Sequence, residues 1–140
     1  MRSVQEHFDL IAKLVEHSGA ESVEIEFDED QQSGTVDGAL YFYDGSRLEF
    51  TETVTIERYR PVKLFYVYQY ICGEEGVFRY DNAPHHPDLP TFPHHKHLRK
   101  ERLPAIEPTL SQVLSEVSAL LREGTKETPR ALGRRRRTKR

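Results

Sequence analysis

Apolar residues recur at helical spacing near the start of the chain. Val4, Phe8, Ile11, Leu14 and Val15 fall on one face, the period of a helix with one buried stripe. Ser3-Val4-Gln5-Glu6 precedes them with the capping-box pattern, in which a hydroxyl and a carboxylate satisfy each other's backbone donors. Gly19 is a natural stop. The spacing predicts a helix over residues 4–17, with His7 and His17 on its exposed face.

The period then changes to two. Val23, Ile25 and Phe27 alternate with Ser22, Glu24, Glu26 and Asp28, as in a half-buried strand. Glu29 to Gly38 is polar and predicts a loop; Ala39 to Tyr43 predicts a second strand, closed by the hairpin signal Asp44-Gly45. Leu48, Phe50, Val54 and Ile56 share one face of a third strand, interrupted by Glu52 without a local reason. Tyr59-Arg60-Pro61 marks a break. Leu64 to Ile71 is apolar or aromatic on both faces, which predicts a central strand covered on both sides. Its Tyr66, Tyr68 and Tyr70 share one side, either as packing with hydroxyls at the rim or as a base-stacking platform. A turn at Gly73 to Gly76 leads to a short fifth strand, Val77 to Tyr80. Prolines recur from Pro84 to Pro108, which predicts a long ordered loop. Thr109-Leu110-Ser111-Gln112 then opens a second amphipathic helix ending at Gly124.

This order predicts an α+β fold: an antiparallel five-stranded meander flanked by an N-terminal and a C-terminal helix. The expected division is one domain over residues 1–124 and a basic tail over 125–140.

Composition sharpens the picture. Hydrophobic residues make up 36% of the 140 positions, so the core must be economical. The lone Cys72 rules out an intramolecular disulfide and reads as a half-buried structural thiol. No apolar run approaches a membrane span and no signal peptide precedes the first helix, so a cytoplasmic protein with no membrane partner is expected. The net charge of -3 hides an asymmetry: residues 1–75 carry -10, residues 76–125 are neutral, and residues 126–140 carry +7. The tail residues Arg134, Arg135, Arg136, Arg137, Lys139 and Arg140 form a charge block suited to attracting nucleic acid.

The chemistry is concentrated in one segment. Five of the seven histidines fall between His85 and His97: His85, His86, His94, His95 and His97. Asp81-Asn82 begins an Asx-type turn just after a strand. Extended backbone puts His95 and His97 on one side, and His94 and Lys96 on the other. Three readings compete. Histidines titrate near neutral pH, so two of them, or one with Asp81, can serve as base and acid in RNA cleavage with no cofactor. Three histidines with Asp81 can instead hold a transition metal, although the spacing matches no standard zinc pattern and supplies no Cys ligand. Lastly, the histidines can be structural, donating to loop carbonyls.

The run VFRYDNAPHH followed by TFPHHKH resembles the TumE-type toxins of bacterial and archaeal toxin–antitoxin systems. The resemblance spans Gly38 to Leu121, including the YVYQY strand and the closing EPTLSQVL helix. YDNAPHH and FPHHKH are its specific blocks, and the RRRR tail lies outside the pattern. It implies a toxin encoded beside a DNA-binding antitoxin, expected to be a helix-turn-helix protein. It carries no catalytic mechanism. Ribonuclease activity follows from the histidines and from how common RNA targets are among such toxins.

The sequence therefore predicts a toxin that cleaves RNA by metal-independent general acid–base chemistry. His85, His86, His95 and His97 are the proton-transfer candidates, oriented by Tyr80 and Asp81. Arg79 and Lys96 are the expected phosphate ligands. The alternatives are a non-enzymatic protein that binds nucleic acid or the antitoxin, and a metal-dependent nuclease.

Overall fold

The computed structural model describes residues 3–30, 32–84 and 88–127. The elements run α1 (Val4–Glu16), β1 (Ser22–Glu29), β2 (Ser33–Tyr41), β3 (Arg47–Glu57), β4 (Arg60–Cys72), β5 (Glu75–Asp81), β6 (His95–Leu98), β7 (Glu101–Pro104) and α2 (Leu110–Glu127). The strands form one sheet in sequence order, β1 to β7, and every neighbouring pair is antiparallel. The fold is α+β as expected, but the meander has seven strands rather than five.

The helices start where the capping boxes place them. Ser3 Oγ accepts from the Glu6 amide. Thr109 and Gln112 cap each other reciprocally, each backbone amide donating to the other's side-chain oxygen. Both helices lie on one face of the sheet. Val4, Phe8, Ile11 and Val15 of α1 and Leu110, Val113 and Val117 of α2 pack there against inward residues of β2 to β5. Each fully buried side chain of this size stabilises the fold by roughly 1.5–3 kcal/mol.

The missed strands have local causes. Residues 33–38 were expected to be loop, yet they belong to β2. Their apolar alternation of Val36 with Leu40 is masked by Gly38, where the Phe50 ring takes the space a side chain would need: a Cβ would lie 2.5 Å from Phe50 Cε1. The expected break at Tyr59-Arg60-Pro61 is only a tight turn at Arg58-Tyr59, and Arg60 and Pro61 already pair with β3 as the start of β4. Arg58 and Tyr59 hold φ of 51° and 64°, left-handed values usually signalled by Gly or Asn. The proline-rich loop contains a whole hairpin, β6–β7, turned by Arg99 at φ 56°. Pro104 is tolerated because β7 is the edge strand.

Two other expectations change. Cys72 is exposed at the end of β4 rather than half-buried. His7 is turned inward to Glu52 (Nε2–Oε1 2.8 Å), whereas His17 is exposed as expected.

Tyr66, Tyr68 and Tyr70 are core residues, and their hydroxyls are bonded internally rather than at a rim. Tyr66 pairs with His94 Nδ1, Tyr68 donates to Glu52, and Tyr70 donates to Ser46 Oγ at 2.8 Å. Tyr70→Phe should therefore cost about 0.5–1.5 kcal/mol, the net worth of one hydrogen bond, read as a lower denaturant midpoint at unchanged slope. A variant as stable as the parent would show that the hydroxyl contributes nothing.

Among the described residues, no helix is long and apolar enough to cross a membrane.

Candidate functional site

The register of β5 and β6 organises the site. Arg79 faces His97, Tyr80 faces Lys96, and Asp81 faces His95 across the strand pair. Side chains alternate along a strand, so these six residues divide between the two faces of the sheet.

Arg79, Asp81, His95 and His97 gather on the face away from the helices. Asp81 is buried at their centre. Its Oδ1 accepts from the Ala83 amide at 3.0 Å, which is the expected Asx turn. His95 Nε2 lies 2.9 Å from the same oxygen. Oδ2 is 2.8 Å from Arg79 Nε and 3.6 Å from His97 Nε2. The two imidazoles meet edge to face with centroids 4.8 Å apart. His95 is 2% exposed and its Nδ1 donates to the Pro93 carbonyl at 2.9 Å. The His97 side chain is 30% exposed and that of Arg79 45%, so these two carry the cluster to solvent. Beside it opens a cleft of about 190 Å³ lined by Gln69, Gly76, Phe78, Arg79, His97 and Arg99.

Tyr80 and Lys96 lie on the helix-covered face. Tyr80 Oη donates to Glu116 Oε1 and Lys96 Nζ to Glu116 Oε2, both at 2.7 Å. The ammonium also sits over the Tyr80 ring, 4.8 Å from its centroid. Burial opposes the charge on Lys96, yet the hydrogen bonds to Glu116 and Tyr80 hold its pKa above the ordinary value. The geometry brings together four of the eight strand and loop candidates and separates these two. His85 and His86 lie outside the described residues, as do Arg134, Arg135, Arg136, Arg137, Lys139 and Arg140.

The loop before β6 is pinned from both sides. His94 stacks on Tyr66 with centroids 5.8 Å apart and planes at 12°. Thr91 Oγ1 donates to the His94 carbonyl and accepts from the Ala105 amide. Asn82 ties the end of β5 to β4, accepting from the Tyr66 amide and donating to the Leu64 carbonyl. These contacts fix the backbone that carries Asp81 and His95.

A second buried constellation was invisible in the sequence. Glu52 on β3 is fully buried and meets His7 from α1, Tyr68 from β4 and, at 3.7 Å, Lys63 Nζ. Lys63 also donates to Tyr68 Oη and to the Pro108 carbonyl. Burial opposes ionisation of Glu52, but the His7 hydrogen bond, the Lys63 charge and the Tyr68 hydroxyl together hold its carboxyl below the ordinary range. Its only trace in the sequence is a carboxylate in an apolar stripe. Gln69 and Glu116 were missed for the same reason: their roles depend on the elements beside them.

The helix-free face is acidic at its other end. Glu24, Glu26, Asp37 and Glu49 line a broad depression of about 860 Å³ over β1 to β4.

No curated protein and no solved structure matches the chain. A family model described as Toxin TumE matches residues 7–122, which include the Asp81 cluster and most of both helices that cover the sheet's other face. With most of its length matched, this chain belongs to the TumE toxin family and is a toxin of a toxin–antitoxin system, with an antitoxin as its partner.

Proposed function

We propose that this toxin acts by cleaving RNA at the Asp81 centre. The observation that supports it best is one buried carboxylate joined to two histidines and an arginine, with His97 open to solvent. Breaking a phosphodiester requires a proton to leave the attacking hydroxyl and another to reach the departing oxygen. Histidine can do both near neutral pH. Asp81 orients the imidazoles. Arg79 contacts Asp81 through Nε, which leaves its terminal nitrogens as candidate donors to a phosphate. Lys96 is less well placed, because Glu116 holds it on the opposite face. His85 and His86 remain candidates for the second proton-transfer group.

The sequence favours side-chain proton transfer alone. A bound cation is a second form of the same reading, and the donor set of Asp81, His95 and His97 favours it. The non-enzymatic reading has lost its stacking platform, since Tyr66, Tyr68 and Tyr70 are buried. The antitoxin is proposed to be a helix-turn-helix protein, and the site of action the cytoplasm.

Purified full-length protein incubated with labelled RNA tests the proposal. Wild type should cut and His97→Ala should not. Intact RNA with wild type, together with an unchanged RNA profile on induced expression, would remove the ribonuclease reading.

The tail is proposed to supply phosphate attraction without supporting the fold, since six of the last seven residues are cationic and no apolar residue follows Leu132. Deleting Gly133 to Arg140 should leave the thermal midpoint nearly unchanged. RNA binding should weaken at low salt and differ little at high salt, because released counterions drive it. A large loss of stability would show the tail docked on the protein instead.

A further inference from the structure

The His95 ring poses a problem of lone pairs. Its Nδ1 is 2.9 Å from the Pro93 carbonyl oxygen, which can only accept, so Nδ1 carries the proton. In the neutral ring Nε2 then bears a lone pair. That lone pair lies 2.9 Å from Asp81 Oδ1, an acceptor when ionised, and both residues are buried. Two acceptors so close in dry surroundings repel unless a cation stands between them. A proton on Nε2 would serve that one pair. His97 brings a third donor atom to the same carboxylate, at 3.6 Å from Oδ2. One ligand atom from each of Asp81, His95 and His97 lies within 4.8 Å of the others. A metal ion with bonds of about 2.0–2.2 Å would draw the outermost pair inward to be shared by all three, since two such bonds span at most about 4.4 Å.

We propose that Asp81, His95 and His97 form a binding site for one divalent transition-metal ion, with Zn²⁺ as the ion best suited to the donors. This deepens the RNA-cleaving reading and rests on it for its purpose, though not for its test.

The supporting contacts are those a metal site needs. The His95 Nδ1–H bond to a backbone carbonyl fixes the tautomer that presents Nε2 to an ion. The Ala83 amide and Arg79 Nε hold the two carboxylate oxygens. Three protein ligands leave a further coordination position open. The cleft beside His97, lined by Arg79 and Arg99, gives that position access to solvent and places two guanidinium groups where an anionic ligand would enter. Two imidazoles and one carboxylate favour Zn²⁺ over Mg²⁺, which prefers oxygen ligands in octahedral geometry. The sequence offers Asp81 with three of the histidines as a metal set, and strand pairing across the thirteen residues 82–94 decides which histidines reach Asp81.

The test is calorimetric titration of untagged, full-length protein with Zn²⁺ after dialysis against chelator. Wild type should bind one ion per chain, and Mg²⁺ should give no comparable binding. Asp81→Asn and His97→Ala should each weaken Zn²⁺ binding by at least about 100-fold, since removing a direct ligand should cost at least as much as losing an outer-shell partner. The double variant His85→Ala/His86→Ala should keep it. Zn²⁺ should also raise the thermal midpoint of wild type but not of His97→Ala, a partly exposed position whose loss leaves the core intact. Wild type that binds no Zn²⁺ would overturn the inference. So would binding that survives both ligand variants or disappears with His85 and His86. RNA cleavage that persists in chelator, alongside absent Zn²⁺ binding, would overturn the metal site and leave the ribonuclease reading standing. Stoichiometric Zn²⁺ binding without any RNA cleavage would support the site and remove that reading.

Discussion

His97→Ala is expected to give a folded, soluble protein that has lost its toxicity, with RNA cleavage reduced by about 10²–10⁴-fold. That range is what one positioned proton-transfer group contributes, and loss of a metal ligand at the same position would also abolish activity. The fold should survive because the His97 side chain is 30% exposed and His97 is not among the buried residues of the core. His95 differs. It is 2% exposed and bonded to the Pro93 carbonyl, so His95→Ala should lose activity and stability together. Substitutions in the histidine segment are therefore unequal in structural cost. Of the alanine variants at His85, His86, His95 and His97, at least two should be non-toxic. The pH dependence of cleavage should be bell-shaped, reporting one acid and one base. Full toxicity in all four variants would remove the active-site assignment.

Glu52→Ala is expected to destabilise the protein by about 3–5 kcal/mol, the usual cost of removing one partner from a buried ion pair. Lys63, with a side chain 8% exposed, would be left beside Tyr68 without its carboxylate, and His7 would lose its acceptor. Urea unfolding measures the effect, and a variant as stable as wild type would show that the network contributes nothing net. Acid pH provides a second reading. The folded-state pKa of Glu52 is lowered despite burial, by His7, Lys63 and Tyr68. Its ionised form therefore contributes stability above the unfolded carboxylate's pKa, and that contribution is lost as pH falls through the lowered folded value. Wild type should lose stability on acidification through the carboxylate range, and Glu52→Gln should lose less over the same interval.

Local rules reached far into this protein because many of its elements carry their own signals. A 3.6-residue period with capping-box signals defined both helices, and α2 runs only three residues beyond the expected stop at Gly124. Strict alternation defined β1, an alternation broken at Glu52 defined most of β3, and a run apolar or aromatic on both faces defined much of β4. The same period separated His95 and His97 from His94 and Lys96, and the pairing of each to different partners follows that division. The Asx turn at Asp81 was legible because an Asx side chain bonds to its own backbone two residues on.

What remained hidden depends on partners remote in sequence. Periodicity states which side of a strand a residue occupies, but not which strand lies beside it. Glu52 looked like an error in an apolar face until α1 and β4 brought His7, Lys63 and Tyr68 to it. The turns at Arg58-Tyr59 and Arg99 lack the Gly or Asn that would announce them, so only the pairing of their flanking strands shows that the chain reverses there. Tyr80 and Lys96 stand one residue from Asp81 and from His95 and His97, yet face Glu116 across the sheet. The sequence alone determined the helices, most strands, the family and the segment that holds the histidines, because each rests on contacts or patterns within a few residues. Tertiary structure alone decided that Asp81, His95, His97 and Arg79 share one face, because that depends on the register between β5 and β6, which long-range hydrogen bonding sets.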